Sequence, residues 1–298
     1  MAAAFDNGKT SLNYSLIFHP KLRKSVLSSL PELYFLGGQG VRVAVIDSGV
    51  NDDVAVSDHV DFTGFGTSDG IPETHGTMVA SIIKHFAKNA HLMNIKVAQT
   101  RDNISWINIF KGLAYARDHG AHIVNLSIGH FNKTQCTGKC PICREVQAFA
   151  KQAGMIIVAA AGNEGPDEGT INCPAVAPDI IAVGMVDITG KSVEPNSSRS
   201  VPGTLKPNLL TSGYVEKNGY QIRGTSFAAP VVSGLLAAAL PSYNFNGQRL
   251  ISALYNSCKE IPSIPKHHQG HGILDINKFV EEIRRETAYA DHQRQEQN

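Results

Sequence analysis

Val41-Arg42-Val43-Ala44-Val45-Ile46-Asp47-Ser48-Gly49 is the stretch on which the fold turns. Within it Val41–Ile46, mostly β-branched, is interrupted by a single charge, the pattern of a strand covered on both faces. Asp47-Ser48-Gly49 is the turn that ends it. The same kind of short apolar run recurs at Leu92–Val97, His122–Ser127, Met155–Ala161 and Asp179–Met185. Between these runs the spacing becomes helical. Gly76–Ala87 carries Val79, Ile82, Ile83 and Phe86 on one face. Ser105 is placed to cap a helix whose apolar side holds Ile109, Leu113 and Ala116, with Gly120 as its stop. Arg144–Ala153 ends at Gly154. Thr189–Gly219, rich in Pro, Ser and Gly, reads as irregular. Ser226–Leu240 is the most apolar helix and closes at Pro241. Gln248–Ser257 and Ile276–Glu286 read as surface helices, and Ala290–Asn298 as a frayed polar end.

Strands alternating with helices predict an α/β fold: a parallel central sheet with helices on both faces, in three layers. Right-handed crossovers bring the carboxyl ends of the strands to one edge, where functional groups of such sheets collect. Asp47, Asn125–Gly129 and Asn163 all fall just beyond strand ends. The expected organisation is an N-terminal extension over 1–40, one domain over 41–286 and a polar tail over 287–298.

Composition narrows the function. The 298 residues hold Lys+Arg 27 against Asp+Glu 26, a net charge of +1, so no basic field exists for bulk capture of nucleic acid. The longest apolar runs, Met155–Ala161 and Leu235–Leu240, fall short of the roughly 20 residues that span a bilayer, so no membrane partner is expected. Residues 1–40 lack a basic segment followed by an apolar one, so no secretory signal is read. The expected location is the cytoplasm, or outside the cell if an upstream signal has been removed. An odd number of cysteines, five, fits poorly with full disulfide pairing.

Three segments supply an acid, an imidazole and an alcohol: Val45-Ile46-Asp47-Ser48-Gly49, Thr74-His75-Gly76-Thr77 and Gly224-Thr225-Ser226-Phe227-Ala228-Ala229-Pro230. A serine hydroxyl becomes a competent nucleophile when an imidazole takes its proton, and a carboxylate fixes the tautomer of that imidazole. Ser226 falls in the first turn of the apolar helix, where the helix dipole favours developing negative charge. Gly76 and Gly224 are expected to clear space for a substrate backbone.

These motifs, together with Val124-Asn125-Leu126-Ser127-Ile128-Gly129, Ile156-Ile157-Val158-Ala159-Ala160-Ala161-Gly162-Asn163-Glu164-Gly165 and Gly270-His271-Gly272-Ile273-Leu274-Asp275, resemble those of subtilisin-like serine proteases from about Val41 to Val280. The resemblance implies that Asp47 orients, His75 is general base and then acid, Ser226 attacks the scissile carbonyl, and the Asn163 amide helps to hold the oxyanion. It also implies an extended peptide or protein substrate pairing with Ser127, Ile128 and Gly129. Asn125, Ala161, Gly162, Asn172 and Thr225 would complete the substrate site. The implied activity is that of an endopeptidase working through an acyl-enzyme with no cofactor for the chemistry. It would serve either general intracellular proteolysis or selective trimming of a precursor or leader peptide. The rival is a catalytically silent fold that binds peptides. Activity should rise with pH as His75 loses its proton. Oligomeric state is not readable from the chain.

Some features depart from the family pattern. Lys88-Asn89-Ala90-His91 is too short for the calcium loop of many relatives, so calcium is not expected. Ala98–Ser105 is abbreviated, and Asn172 stands where relatives have glycine at the pocket base, which favours small or polar residues before the cut. Cys136, Cys140 and Cys143 follow the substrate-binding segment, and Cys173 follows Asn172. Two readings stay open for them, a structural zinc and a pair of disulfides, either of which would stiffen the cleft wall. Cys258 reads as a core thiol. His267, His268 and His271 are assigned to the closing loop rather than to a metal. Residues 1–40 are too short for a folding prodomain. They read as part of the domain or as an inhibitory segment centred on Ser15-Leu16-Ile17-Phe18-His19-Pro20.

Overall fold

The computed structural model describes residues 14–17, 31–33, 36–68, 74–99, 103–130, 136–217 and 219–296. Its main sheet has nine strands in the order β11-β12-β8-β7-β6-β5-β2-β4-β3. These are β2 (Arg42–Asp47), β3 (Asp58–Asp61), β4 (His91–Lys96), β5 (Ile123–Leu126), β6 (Ile156–Ala160), β7 (Ile181–Met185), β8 (Leu209–Thr211), β11 (Cys258–Lys259) and β12 (Ile273–Leu274). All pairings are parallel except that of β11 with β12. A second sheet of three antiparallel strands joins β1 (Tyr14–Ile17), β9 (Tyr214–Lys217) and β10 (Tyr220–Arg223). The helices are α1 (His75–Phe86), α2 (Trp106–Asp118), α3 (Pro141–Ala153), α4 (Thr225–Ala239), α5 (Gly247–Asn256), α6 (Lys266–Gln269) and α7 (Ile276–Glu296).

Two cores lie on opposite faces of the main sheet, as continuous apolar strands require. One gathers Val43, Val45, Ile123 and Val158 with α1, α4, α5 and α7. The other gathers Ala44, Ile46, Val124 and Ile157 with α2 and α3. The alternation along β2 and β5 therefore divides each strand between the two cores. β2 lies between β4 and β5, so the chain departs from its carboxyl end toward one side while β5 occupies the other. That switch point opens a crevice at the end of β2, where Asp47 stands.

Several elements differ from the sequence reading. The stretch expected to be irregular contains β8 and β9, and β8 is a strand of only three residues, too short to show periodicity. Ser105 precedes α2, but its side chain makes no capping bond. α3 starts at Pro141, not Arg144. Proline opens the helix, and the Cys140 side chain accepts from the Cys143 N–H. α7 runs to Glu296, straight through the boundary expected at 286. Thr225–Tyr243, contrary to the reading from apolar runs, is long and apolar enough by composition to cross a membrane. It is nevertheless 83% buried within the protein, as the central helix of the first core. Ser15–Ile17 lie in β1, paired with β9, and Phe18, His19 and Pro20 lie outside the described residues.

Candidate active site

Asp47, His75 and Ser226, far apart in sequence, line one cleft with Ser127, Ile128, Gly129, Gly162, Asn163, Asn172 and Thr225. Asp47 ends β2 and is fully buried. Its Oδ1 accepts from His75 Nδ1 at 2.8 Å and from the Ser48 N–H at 2.8 Å. The Ser48 hydroxyl donates to the same oxygen at 3.1 Å. The acid is thus held by a turn of its own strand, and it fixes which nitrogen of His75 carries hydrogen toward it.

His75 is the first residue of α1, and the preceding Thr74 sits in the left-handed region at φ 49 and ψ 45. A non-glycine residue there is strained, and such strain tends to persist at functional sites. The Lys217 ammonium anchors it by donating to Thr74 Oγ1 at 2.8 Å. Gly76 does something other than make room for substrate. A Cβ on it would lie 2.1 Å from the Gly49 carbonyl oxygen and 3.2 Å from Asp47 Oδ1. The glycine lets the start of α1 press onto the end of β2, and that contact brings imidazole and carboxylate together. A Cβ on Gly224 would meet only ordinary contacts with the Asn163 amide, at 3.6 Å.

Ser226 stands in the first turn of α4, packed between the sheet and α1. Its hydroxyl donates to the Ser127 carbonyl oxygen at 3.0 Å, and the Ser127 hydroxyl donates to the Ser226 carbonyl oxygen at 2.7 Å. Asn163 is exposed on the cleft. Its Oδ1 accepts the Thr225 N–H at 2.9 Å and the Thr225 hydroxyl at 3.2 Å. With the oxygen committed inward, the amide NH2 is the end turned to the cleft, beside the start of α4.

Three residues expected to touch substrate have other work. Asn125 is fully buried, accepting from the Ser233 hydroxyl at 2.9 Å and donating to Ser127 Oγ at 2.8 Å. It braces Ser127 from behind. Ala161 is buried too, and its carbonyl accepts the Asn172 N–H at 2.8 Å, which sets the pocket floor, while Ala160 lines the cleft. Thr225, although it reaches the cleft wall, is fully buried and serves as the clamp on Asn163 and Gly162. Asn172 does reach the floor, 8% exposed.

Ser48, Ala98, Ile104 and Glu164 also line the cleft. Of these, Glu164 carries a sequence signal, since it follows Asn163 directly, and its Oε2 accepts the Asn163 N–H at 2.7 Å and the Ser198 hydroxyl at 3.1 Å.

The cysteines are free of disulfides, and the Sγ atoms of Cys136, Cys140, Cys143 and Cys173 lie within 4.8 Å of one another. Cys258 is half-buried against the first core, and burial pushes its thiol up to about 12. His267 and His268 share Glu168 Oε1, at 2.8 and 3.0 Å, and their bonds draw that carboxyl below its ordinary range. His271 instead stacks on Tyr255.

The family model described as "Subtilase family" matches residues 38–272. Human membrane-bound transcription factor site-1 protease is 30% identical over 269 residues, covering 80% of this chain but 25% of that protein. The chain therefore spans about a quarter of the length of the first curated relatives it matches. Thermitase of Thermoactinomyces vulgaris is 28% identical over 245 residues, covering 75% of this chain and 83% of thermitase. Among solved structures, that of the prenylagaramide maturation protease PagA superposes with a TM-score of 0.66 at 25% identity. It covers 85% of this chain and 98% of its own. A family match over most of the chain, on a sheet whose order and helical layers suit it, leaves one assignment: this chain belongs to the subtilase family of serine peptidases.

Proposed function

We propose that this chain is a serine endopeptidase in which Asp47, His75 and Ser226 form the catalytic triad and Asn163 supplies an oxyanion donor. The observation that carries the reading is the 2.8 Å bond from His75 to a fully buried Asp47, in the same cleft as Ser226.

In the reaction, Ser226 turns its hydroxyl from the Ser127 carbonyl to the far nitrogen of His75. Its oxygen attacks the scissile carbonyl carbon while the imidazole takes the proton. The oxyanion is received by the Ser226 N–H and the Asn163 amide NH2, both preorganised by α4 and Thr225. Collapse breaks the C–N bond, and His75 returns the proton to the leaving amine. Water, deprotonated by the same imidazole, then hydrolyses the acyl-enzyme. The substrate lies as an added strand against Ser127-Ile128-Gly129, recognised mainly through its backbone. Asn172 at the floor makes the pocket shallow and polar, favouring small or polar side chains before the cut.

The reading extends to selective trimming of a precursor peptide in preference to general turnover. Supporting it are the likeness to the maturation protease PagA and the abbreviated Ala98–Ser105 edge. A fluorophosphonate probe should label the wild-type chain and not Ser226→Ala. The variant should lose roughly six orders of magnitude in kcat, the loss seen when subtilisin is stripped of its nucleophile. Failure of the folded wild type to label or to cleave any peptide of a mixed library would leave a silent peptide-binding fold.

A further inference from the structure

We propose that Cys136, Cys140, Cys143 and Cys173 form a structural zinc site that braces the floor and outer wall of the substrate cleft. Cys136 and Cys143 have their sulfurs 3.8 Å apart, and those of Cys140 and Cys173 are 3.7 Å apart. With Zn–S bonds of about 2.3 Å, a tetrahedron has edges of about 3.8 Å. No pair is longer than 4.8 Å. The four sulfurs are therefore spaced as one tetrahedral ligand set, not as two bonded couples. Zinc takes such a set as thiolates, releasing the four protons to solvent, with no change of oxidation state and no external oxidant. Two disulfides would need an oxidant to accept four electrons.

The local structure suits thiolates. Cys140 is the N-cap of α3 and Cys143 lies in its first turn, where the helix dipole favours negative charge. The Cys143 N–H already points at Cys140 Sγ, 3.4 Å away, a backbone bond that orients a ligand sulfur. Gly138, at φ 78, folds the ligand loop against the turn after Cys173. A Cβ there would lie 2.9 Å from the Val176 carbonyl oxygen. Charge is also matched. A tetrathiolate zinc carries a formal charge of −2, and the buried Lys206 borders the same cavity as Cys136. Among the described residues its amine donates to the Ile180 carbonyl and Asn208 Oδ1, and the Asp179 carboxylate favours its charged form.

The site is positioned to act on the cleft. Cys173 exchanges both backbone bonds with His130, at 3.1 and 3.0 Å, directly beside Gly129 and Asn172. Zinc would tie that bridge to α3, so that the pocket floor cannot part from the wall. Metal binding stands independently of the peptidase reading; the effect on substrate rests on it.

The chain should be purified without chelator or reductant and its metal measured by mass spectrometry. The expected result is about one zinc per chain, with all five thiols titrating in denaturant plus chelator. Cobalt exchanged into the folded chain should give the thiolate charge-transfer and ligand-field bands of a tetrahedral tetrathiolate, and Cys136→Ser should remove them. A single titratable thiol, insensitive to chelator, would establish two disulfides and overturn the proposal. Five thiols without metal, or bound iron, would overturn it equally. Should Cys136→Ser fail to fold, the cobalt spectrum of the wild type still decides. Stripping zinc should raise KM at least severalfold while fluorophosphonate labelling of Ser226 persists. Zinc present without any labelling would sink the peptidase reading alone.

Discussion

The two sides of the cleft are held by different forces. The side that presents Asp47, His75 and Ser226 is made of core: β2 ends beneath it, α1 and α4 pack on each other, and Val79, Ile83, Val231 and Leu235 are wholly buried there. Burying one such side chain contributes about 1.5–3 kcal/mol, so the three side chains inherit the rigidity of the fold. The opposite side, Ser127–Gly129 with the Asn172–Pro174 turn, leaves the sheet as loop. It relies on a few backbone bonds, on buried polar braces such as Asn125 and, in the proposed zinc site, on four sulfurs. On the proposed reading, chemistry sits where the hydrophobic effect is strongest, and substrate selection where the chain can vary without disturbing the core.

If that division holds, variants on the first side should cost kcat and those on the second should move KM and specificity. The largest effect is expected from Asp47→Asn, which leaves the packing in place but presents the wrong partner to His75. A fall of about 10^4-fold in kcat with little change in KM is the expected outcome of steady-state kinetics. Comparable losses in kcat and gains in KM would mean that the core side also binds substrate. Asn163→Ala tests the exception, a donor that reaches across from the loop side. About 10^2–10^3-fold in kcat should go, as for the corresponding donor of subtilisin. An unchanged kcat would remove Asn163 from the oxyanion site.

Asn172→Gly sharpens the contrast on the second side. Removing the side chain deepens the pocket, and peptide-library profiling should show large apolar residues before the cut gaining about tenfold or more in relative kcat/KM. No gain would show that the floor is set by another residue. The smallest effect concerns the far end of α1. Burial holds His85 at about 4, below the 6.5 of an ordinary imidazole. The unfolded chain therefore takes up this proton as pH falls below 6.5, while the folded chain resists until about 4. Stability contributed by neutral His85 is complete above 6.5 and lost toward 4. His85→Leu should shift the midpoint of acid unfolding to lower pH, measured by circular dichroism; an unmoved midpoint would show that His85 does not govern it.

Much of the core was legible in the chain. The runs around Ala44, Val124 and Ile157 are continuous because both faces of their strands are covered, and that signature needs no tertiary information. That Asp47, His75, Ser226 and Asn163 share one cleft was legible because each falls at an element boundary within a distinctive motif. Short and edge elements were not. β8, β11 and β12 have two or three residues each, too few for a pattern to repeat. β1 and β9 pair across about two hundred positions, and nothing local announces that partnership. The first turn of α3 escapes the reading that begins at Arg144, although Pro141 marks it.

By itself, then, the sequence determined the layer architecture, the order of its main strands and helices along the chain and the residue types available for chemistry, since periodicity and turn chemistry are local properties. Tertiary structure decided which of those residues share a space and what each one does there. Asn125 and Ala161 passed from contact to support because burial depends on neighbours distant in sequence. Gly76 changed from clearance to packing because only the folded chain puts Gly49 against it. The four cysteines, already grouped by sequence, have sulfurs within 4.8 Å of one another because the bridge between His130 and Cys173 carries the fourth to the other three.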